Sequence, residues 1–160
     1  TDAWLQLAAL VGARGDTLGA GRTYRQVVPH LRPDQTAQSR QVWRQLVAIY
    51  ARASSFDALL KESPVDVTFI ETLSDVFRNV SRNVGDSNQV KLFLARSLGL
   101  LEHLTGVAPG RPELHAKQGE IQLALNRAEH ARVAFAKAAR IQDRPAYRLG
   151  LSHGLMLQGR

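Results

Sequence analysis

The sequence predicts an all-α protein of short helices, and three observations carry that prediction. Apolar residues recur at spacings of three and four along nearly all of the 160 residues, the period of helices packed along one face. No stretch alternates apolar and polar positions with β-branched enrichment, so no strand is expected. Turn-forming residues cut the chain into helix-length segments. They fall at Gly15-Asp16, Arg32-Pro33-Asp34, Ser54-Ser55, Pro64, Gly85-Asp86-Ser87, Pro109-Gly110-Arg111-Pro112, Asn126-Arg127 and Pro145.

The segment ends follow from their residues. Asp16, Ser54 or Ser55, and Asp86 offer side-chain oxygens to the free N–H groups of the helices they precede. Pro112 and Pro145 suit a first helical position, where a missing N–H costs nothing. Pro64 closes a short helix that begins near Phe56, and two longer helices are expected over about 68–82 and 88–104.

Composition narrows the classes. With 44% hydrophobic and 22% charged residues the chain is globular rather than disordered. Only 6% are aromatic, and the abundant Ala lets helix axes approach closely. The absence of cysteine excludes disulfides, thiolate zinc sites and cysteine nucleophiles, and fits periplasm or cytoplasm alike. No apolar run reaches the roughly 18 residues that span a bilayer.

A repeat emerges on alignment of the chain with itself. Residues 3–33 contain Trp4, Leu7, Ala8 and Val11, then Gly15, then Ala20, Tyr24 and Val27, and close on Pro33. Trp43, Leu46, Val47 and Tyr50 repeat the first part 39 residues later; Gly119, Ala131, Phe135 and Ala138 repeat Ala8, Ala20, Tyr24 and Val27 at a displacement of 111. The pattern resembles the tetratricopeptide repeat. Ala8 and Ala20 are small where two helices cross, and Trp4, Leu7, Val11 and Tyr24 are expected to fill the seam around them. The resemblance implies a right-handed α-solenoid over 1–160, of about four helix pairs plus a terminal helix. Its units would be about 1–34, a degenerate 38–64, a divergent 66–106, 111–143 and a partial 145–160. Starting on Thr1 and stopping mid-unit, with Gly159-Arg160 placed as Gly15-Asp16 are, the chain reads as a piece of a longer protein.

The resemblance also implies where a partner binds. In the family, first helices of successive units line a concave groove that holds a peptide. By position, the groove-facing residues are Leu5, Ala9, Gly12 and Ala13; then Gln41, Arg44, Ala48 and Arg52; then Glu113, Lys117, Glu120 and Ala124. Chaperone-binding members clamp a terminal carboxylate with Lys, Asn and Arg at such places, and Leu5 and Ala9 depart from that clamp.

Charge marks a second candidate. The formal net charge is +7, of which residues 126–160 carry +5 and residues 1–125 only +2. Arg132, Lys137, Arg140, Arg144 and Arg148 form a candidate patch for an acidic partner. Nucleic acid is disfavoured because few aromatic rings lie there to stack on bases.

Two motifs imitate enzymes. Gly150-Leu151-Ser152-His153-Gly154 matches a nucleophile elbow, but its surroundings read as helix, where small residues serve a helix crossing. Residues 15–23 nearly match a phosphate-binding loop, yet Arg22 replaces the Lys and no strand precedes it. His30, His103, His115, His130 and His153 are scattered without ligand spacing. No catalytic residue, metal or cofactor is therefore expected. The function expected is a noncatalytic scaffold in a bacterial multiprotein assembly, of the cell envelope or exopolysaccharide export, with the periplasm favoured over the cytoplasm. The alternatives are a substrate-docking region of a larger enzyme such as a transferase, or a cytoplasmic peptide-binding regulator.

Overall fold

The computed structural model describes residues 2–32, 34, 36–62 and 64–159, and among them are nine α-helices, one 3-10 turn and no strand. The helices are α1 (Asp2–Ala13), α2 (Thr17–Val27), α3 (Thr36–Tyr50), α4 (Ala53–Leu60), α5 (Val67–Ser81), α6 (Ser87–Val107), α7 (Pro112–Ala124), α8 (Ala128–Ile141) and α9 (Pro145–Gln158). The all-α prediction holds. Pro33 and Arg160, which the repeat alignment used, lie outside the described residues.

Local chemistry sets the helix ends, with two departures from expectation. Asp16 accepts from the Gly19 N–H at 2.7 Å and Asp86 from the Asn88 N–H at 2.8 Å, while Pro112 and Pro145 each open a helix. Neither Ser54 nor Ser55 caps α4. Arg52 occupies that position without a side-chain cap, and Ser55 is buried inside the helix. The unforeseen cap is Asp66, whose carboxylate accepts from the Phe69 N–H at 3.0 Å at the start of α5.

Two helix ends share one device. Gly15 has φ 86° and Asn126 has φ 58°, the left-handed region in which Gly, or failing that Asn, ends a helix. At α7 both bonds of a Schellman turn are present, from the Arg127 N–H to Gln122 O at 2.8 Å and from the Asn126 N–H to Leu123 O at 2.9 Å. These two positions are 111 residues apart, the displacement found in the sequence. Asn126→Val is expected to cost about 1–2 kcal/mol, because a β-branched residue is strained there. Asn126→Gly should be near neutral. Urea-unfolding midpoints check both; equal midpoints would show that the turn carries no strain.

The helices cluster into two compact units, Thr1–Phe69 and Ile70–Arg160. In the first, α1 packs on α2, α2 on α3 and α3 on α4. Ala8, Ala20, Tyr24, Val27, Val42, Leu46, Val47, Ile49, Tyr50, Phe56 and Leu59 form the buried interior. A Cβ built on Gly21 would lie 2.9 Å from the Tyr50 hydroxyl, so glycine permits the close approach of α2 and α3. Phe69 closes this interior, with Trp43 stacked at 5.9 Å, Tyr50 edge-on at 6.3 Å and the Arg25 guanidinium 4.8 Å above its ring. Burial pushes the Tyr50 phenol up to about 12, which keeps it neutral.

One packing expectation is corrected here. Trp4 and Leu7 do not fill the α1–α2 seam; they are 46% and 45% exposed. The stripe of α1 that goes inward is Leu5, Ala8 and Val11; Leu7 lies outside that arc, while Trp4 lies within it but in the first turn of the helix, where little covers it.

In the second unit, α6 packs on α7, α7 on α8 and α8 on α9. Leu73 and Phe77 of α5 are buried, as are Leu94, Leu98, Leu101 and Leu104 of α6. Buried Ser74 and Ser97 satisfy each other, their hydroxyls 2.8 Å apart and each donating to the other's carbonyl in alternative arrangements. Phe135 of α8 lies between two glycines. A Cβ on Gly119 would come within 2.7 Å of its ring, and one on Gly150 within 2.5 Å.

Candidate functional site

The groove candidates of the first unit converge on one cavity. Ala9, Gly12 and Ala13 of α1, with Ala48 and Arg52, line a space of about 440 Å³ between α1, the start of α2 and α3. Small side chains leave that space open, and Ala9, Gly12, Ala13 and Ala48 are all exposed to it or to solvent. Its polar rim is the Arg52 guanidinium, which donates to the Thr17 hydroxyl at 3.3 Å. Burial raises the phenol of Tyr24, which sits deeper, so that group stays neutral.

Leu5, Gln41 and Arg44 do not line this cavity. Leu5 is half-buried, whereas Gln41 and Arg44 are exposed. Sequence reasoning missed Gln45, Thr17 and Ile49. Gln45 was findable: from Gln41 a step of four reaches it and a further three reaches Ala48, an equally good helical stripe.

In the second unit the groove candidates are already engaged. Lys117 of α7 reaches Glu71 at 3.2 Å and Asp75 at 2.9 Å on α5. Arg111 bridges Glu71 at 2.9 Å and Glu113 at 2.7 Å, and Glu120 pairs with Arg78. Burial alone would raise the Glu71 carboxyl, but hydrogen bonds from Arg111 and Lys117 outweigh it and hold the group below its ordinary range. The Glu113 carboxyl is also lowered, first by its own backbone N–H at the helix start and then by Arg111. Glu71, Asp75 and Arg78 escaped the sequence reading because α5 lacks the repeat signature. Ala124, with Arg78, Arg82 and Glu120, lines a smaller cavity of about 230 Å³.

The basic residues are separately disposed. Arg132 pairs with Glu129 at 2.5 Å and Arg148 with Asp143. The Arg144 guanidinium lies 5.8 Å from the Tyr147 ring centre. Lys137 and Arg140 are exposed and make no ion pair among the described residues.

The look-alike motifs have structural roles. Ser152 is on α9, its hydroxyl donating back to Arg148 O at 3.0 Å, and Gly154 lies against the α8 backbone with Ala128 O 3.4 Å from a built Cβ. The loop at 15–23 is a turn followed by α2, whose Gly19 N–H is capped by the Asp16 carboxylate. No group of three His, Cys, Asp or Glu is placed to hold a metal among the described residues. No helix of the described residues is long and apolar enough to cross a membrane.

Two solved structures decide the fold. One is a thermophilic TPR protein from Thermus thermophilus, 19% identical, covering 99% of this chain and 83% of that one at a TM-score of 0.56. The second is a tetratricopeptide repeat protein from Parabacteroides merdae, 14% identical, with 99% and 60% covered at a TM-score of 0.51. The fold is that of the tetratricopeptide repeat. This chain spans less than two thirds of the second protein's length. No family model matches the sequence, and no curated protein matches it either. The tetratricopeptide signature survives where geometry demands it, at Ala8 and Gly119 in the crossings, Ala20 and Ala131 opposite, and Gly15 and Asn126 in the turns.

Proposed function

We propose that the chain is a noncatalytic scaffold that holds another protein or a peptide against the first helices of its repeat units. The observation that carries this reading is the cavity of about 440 Å³ in which Ala9, Gly12, Ala48 and Arg52 meet. A concave space with small apolar walls and a few polar groups at its rim suits a side chain of a docked segment. Arg52 and Gln45 supply the polar contacts, and no ionisable pair in the cavity offers acid–base chemistry.

Lys137, Arg140 and Arg144 are proposed as an accessory surface for an acidic partner, supported by the uncompensated charge of that region. A place in a bacterial cell-envelope or exopolysaccharide-export assembly, in the periplasm, is supported by the Arg-rich composition and the divergent repeats.

A photoreactive amino acid at Ala48 tests the groove. It is expected to trap a partner protein that the same group at Lys61, outside the cavity, does not trap. Equal trapping from both positions, or none from Ala48, overturns the groove reading.

A further inference from the structure

A second cavity of the first unit, of about 470 Å³, shares no lining residue with the groove. Val28 and Leu31, after α2, form its aliphatic side. The facing wall comes from α3, where Thr36, Ser39, Arg40 and Trp43 follow the i, i+3, i+4, i+7 spacing of one helix face. Trp43 is half-buried and stacks on Phe69 with 5.9 Å between ring centres and 18° between planes, so the orientation of the indole is fixed.

The polar lining is made of groups that donate hydrogen bonds: the Thr36 and Ser39 hydroxyls and the guanidiniums of Arg40 and Arg32. Arg40 makes no ion pair among the described residues. Its Nε donates to Thr36 O at 3.4 Å, which anchors the side chain and leaves its terminal nitrogens for another acceptor. No carboxylate lines the cavity among the described residues. The shortage is local to the sequence as well, since Arg22, Arg25, Arg32, Arg40, Arg44 and Arg52 share residues 22–52 with Asp34 as the lone acid. The cleft between α2 and the end of α4 differs in this respect. Its Arg25 is already bridged to Glu62 and Asp66, which line the same cleft.

We propose that the cavity beside Trp43 binds a small organic anion, a carboxylate or phosphate joined to a flat apolar body. A lining of cationic and hydroxyl donors matches a group that only accepts, and a guanidinium fork takes two oxygens at once. The apolar body lies against Trp43, Leu31 and Val28. Other occupants use only part of the site. The volume is that of a small-molecule pocket rather than of a bare ion, and an uncharged ring would meet the indole but not the guanidiniums. A cation is repelled by Arg32 and Arg40.

Benzoate and phenyl phosphate are the probes, titrated into the full chain and followed by the indole N–H signals in proton–nitrogen NMR spectra. The chain has two tryptophans, and Trp4→Phe assigns the signals. At least one probe is expected to shift the Trp43 signal saturably, with a dissociation constant of about 1 mM or tighter, while the Trp4 signal stays in place. Acetate, inorganic phosphate and benzyl alcohol each lack one half of the ligand and should bind at least about tenfold more weakly. Arg40→Gln should weaken the better probe by about tenfold or more, through loss of a charge-assisted contact. Arg44→Gln removes the same charge from an exposed position of α3 outside the cavity, and should change the affinity by less than about twofold. N-acetylphosphotyrosine amide binding more tightly than phenyl phosphate would place the group on a partner polypeptide; no tighter binding would make it a free small molecule. The proposal is overturned if neither probe gives a saturable shift up to about 10 mM. Equal losses in Arg40→Gln and Arg44→Gln also overturn it, because a diffuse positive field would then suffice. So does acetate, inorganic phosphate or benzyl alcohol binding as tightly as the aromatic anions.

Discussion

Phe135→Ala is expected to destabilise the second unit by about 3–5 kcal/mol, the range for removing a buried aromatic side chain. Phe135 is 4% exposed and packs with Ala116, Ala131, Ala138 and Tyr147. The opposite perturbation should also be costly. Alanine at Gly119 or Gly150 gains about 0.5–1 kcal/mol of helix preference. Yet its Cβ would stand 2.7 or 2.5 Å from the ring. Because each glycine limits the ring's retreat from the other, overpacking of about 1–3 kcal/mol outweighs the gain. Phe135→Leu combined with Gly150→Ala should then cost less than the sum of the two single changes. Urea midpoints of the four proteins decide it. Additive losses would show that the ring and the glycines do not compete for one volume.

This sandwich also shows what was legible in the sequence. Gly119 and Phe135 were identified by repeat alignment, since small and large residues recur where helices cross. Gly150 was read only as one of the small residues of a helix crossing, and its partner, 15 residues away on another helix, was not legible. Helix ends with a chemical marker, such as Asp16, Asp86, Pro112 and Pro145, were readable locally. The α4 start was not, because it has no side-chain cap to be read. Trp4 and Leu7 misled for a related reason: the motif names residue types, while their exposure depends on which neighbours cover α1.

The groove divides in the same way. Ala9, Gly12, Ala48 and Arg52 were named by position from the resemblance, because residues 3–13 and 43–50 carry its signature, and all four line the first cavity. In the second unit, Lys117 and Glu120 were named by the same positions, but their ion pairs were not legible. They depend on Glu71, Asp75 and Arg78 of α5, whose sequence has no repeat mark.

The engaged face of α5 and α7 leads to the second large effect. Glu71→Gln is expected to cost about 1–3 kcal/mol, because it leaves Lys117 and Arg111 partly buried beside a neutral group. The Glu71 and Lys117 side chains are 23% and 24% exposed, so solvent screens the pair less than it would a surface pair. Arg111, at 35%, contributes less. The sign with pH follows from the lowered carboxyl. Folding favours the ionised form, so the stabilisation is complete above the ordinary carboxyl value of 4.5 and is lost as pH falls through the lower, folded value. The gap in urea midpoint between the parent and Glu71→Gln should therefore be constant near neutral pH. It should narrow below about pH 4.5, where protonated Glu71 and glutamine become equivalent. A gap that persists unchanged to pH 3 would mean that shape at position 71, not charge, sustains the α5–α7 contact. Asp75 separates the two outcomes further. It faces the same Lys117 ammonium at 2.9 Å, so if Lys117 needs at least one carboxylate, combining Asp75→Asn with Glu71→Gln should cost more than the sum of the two single changes.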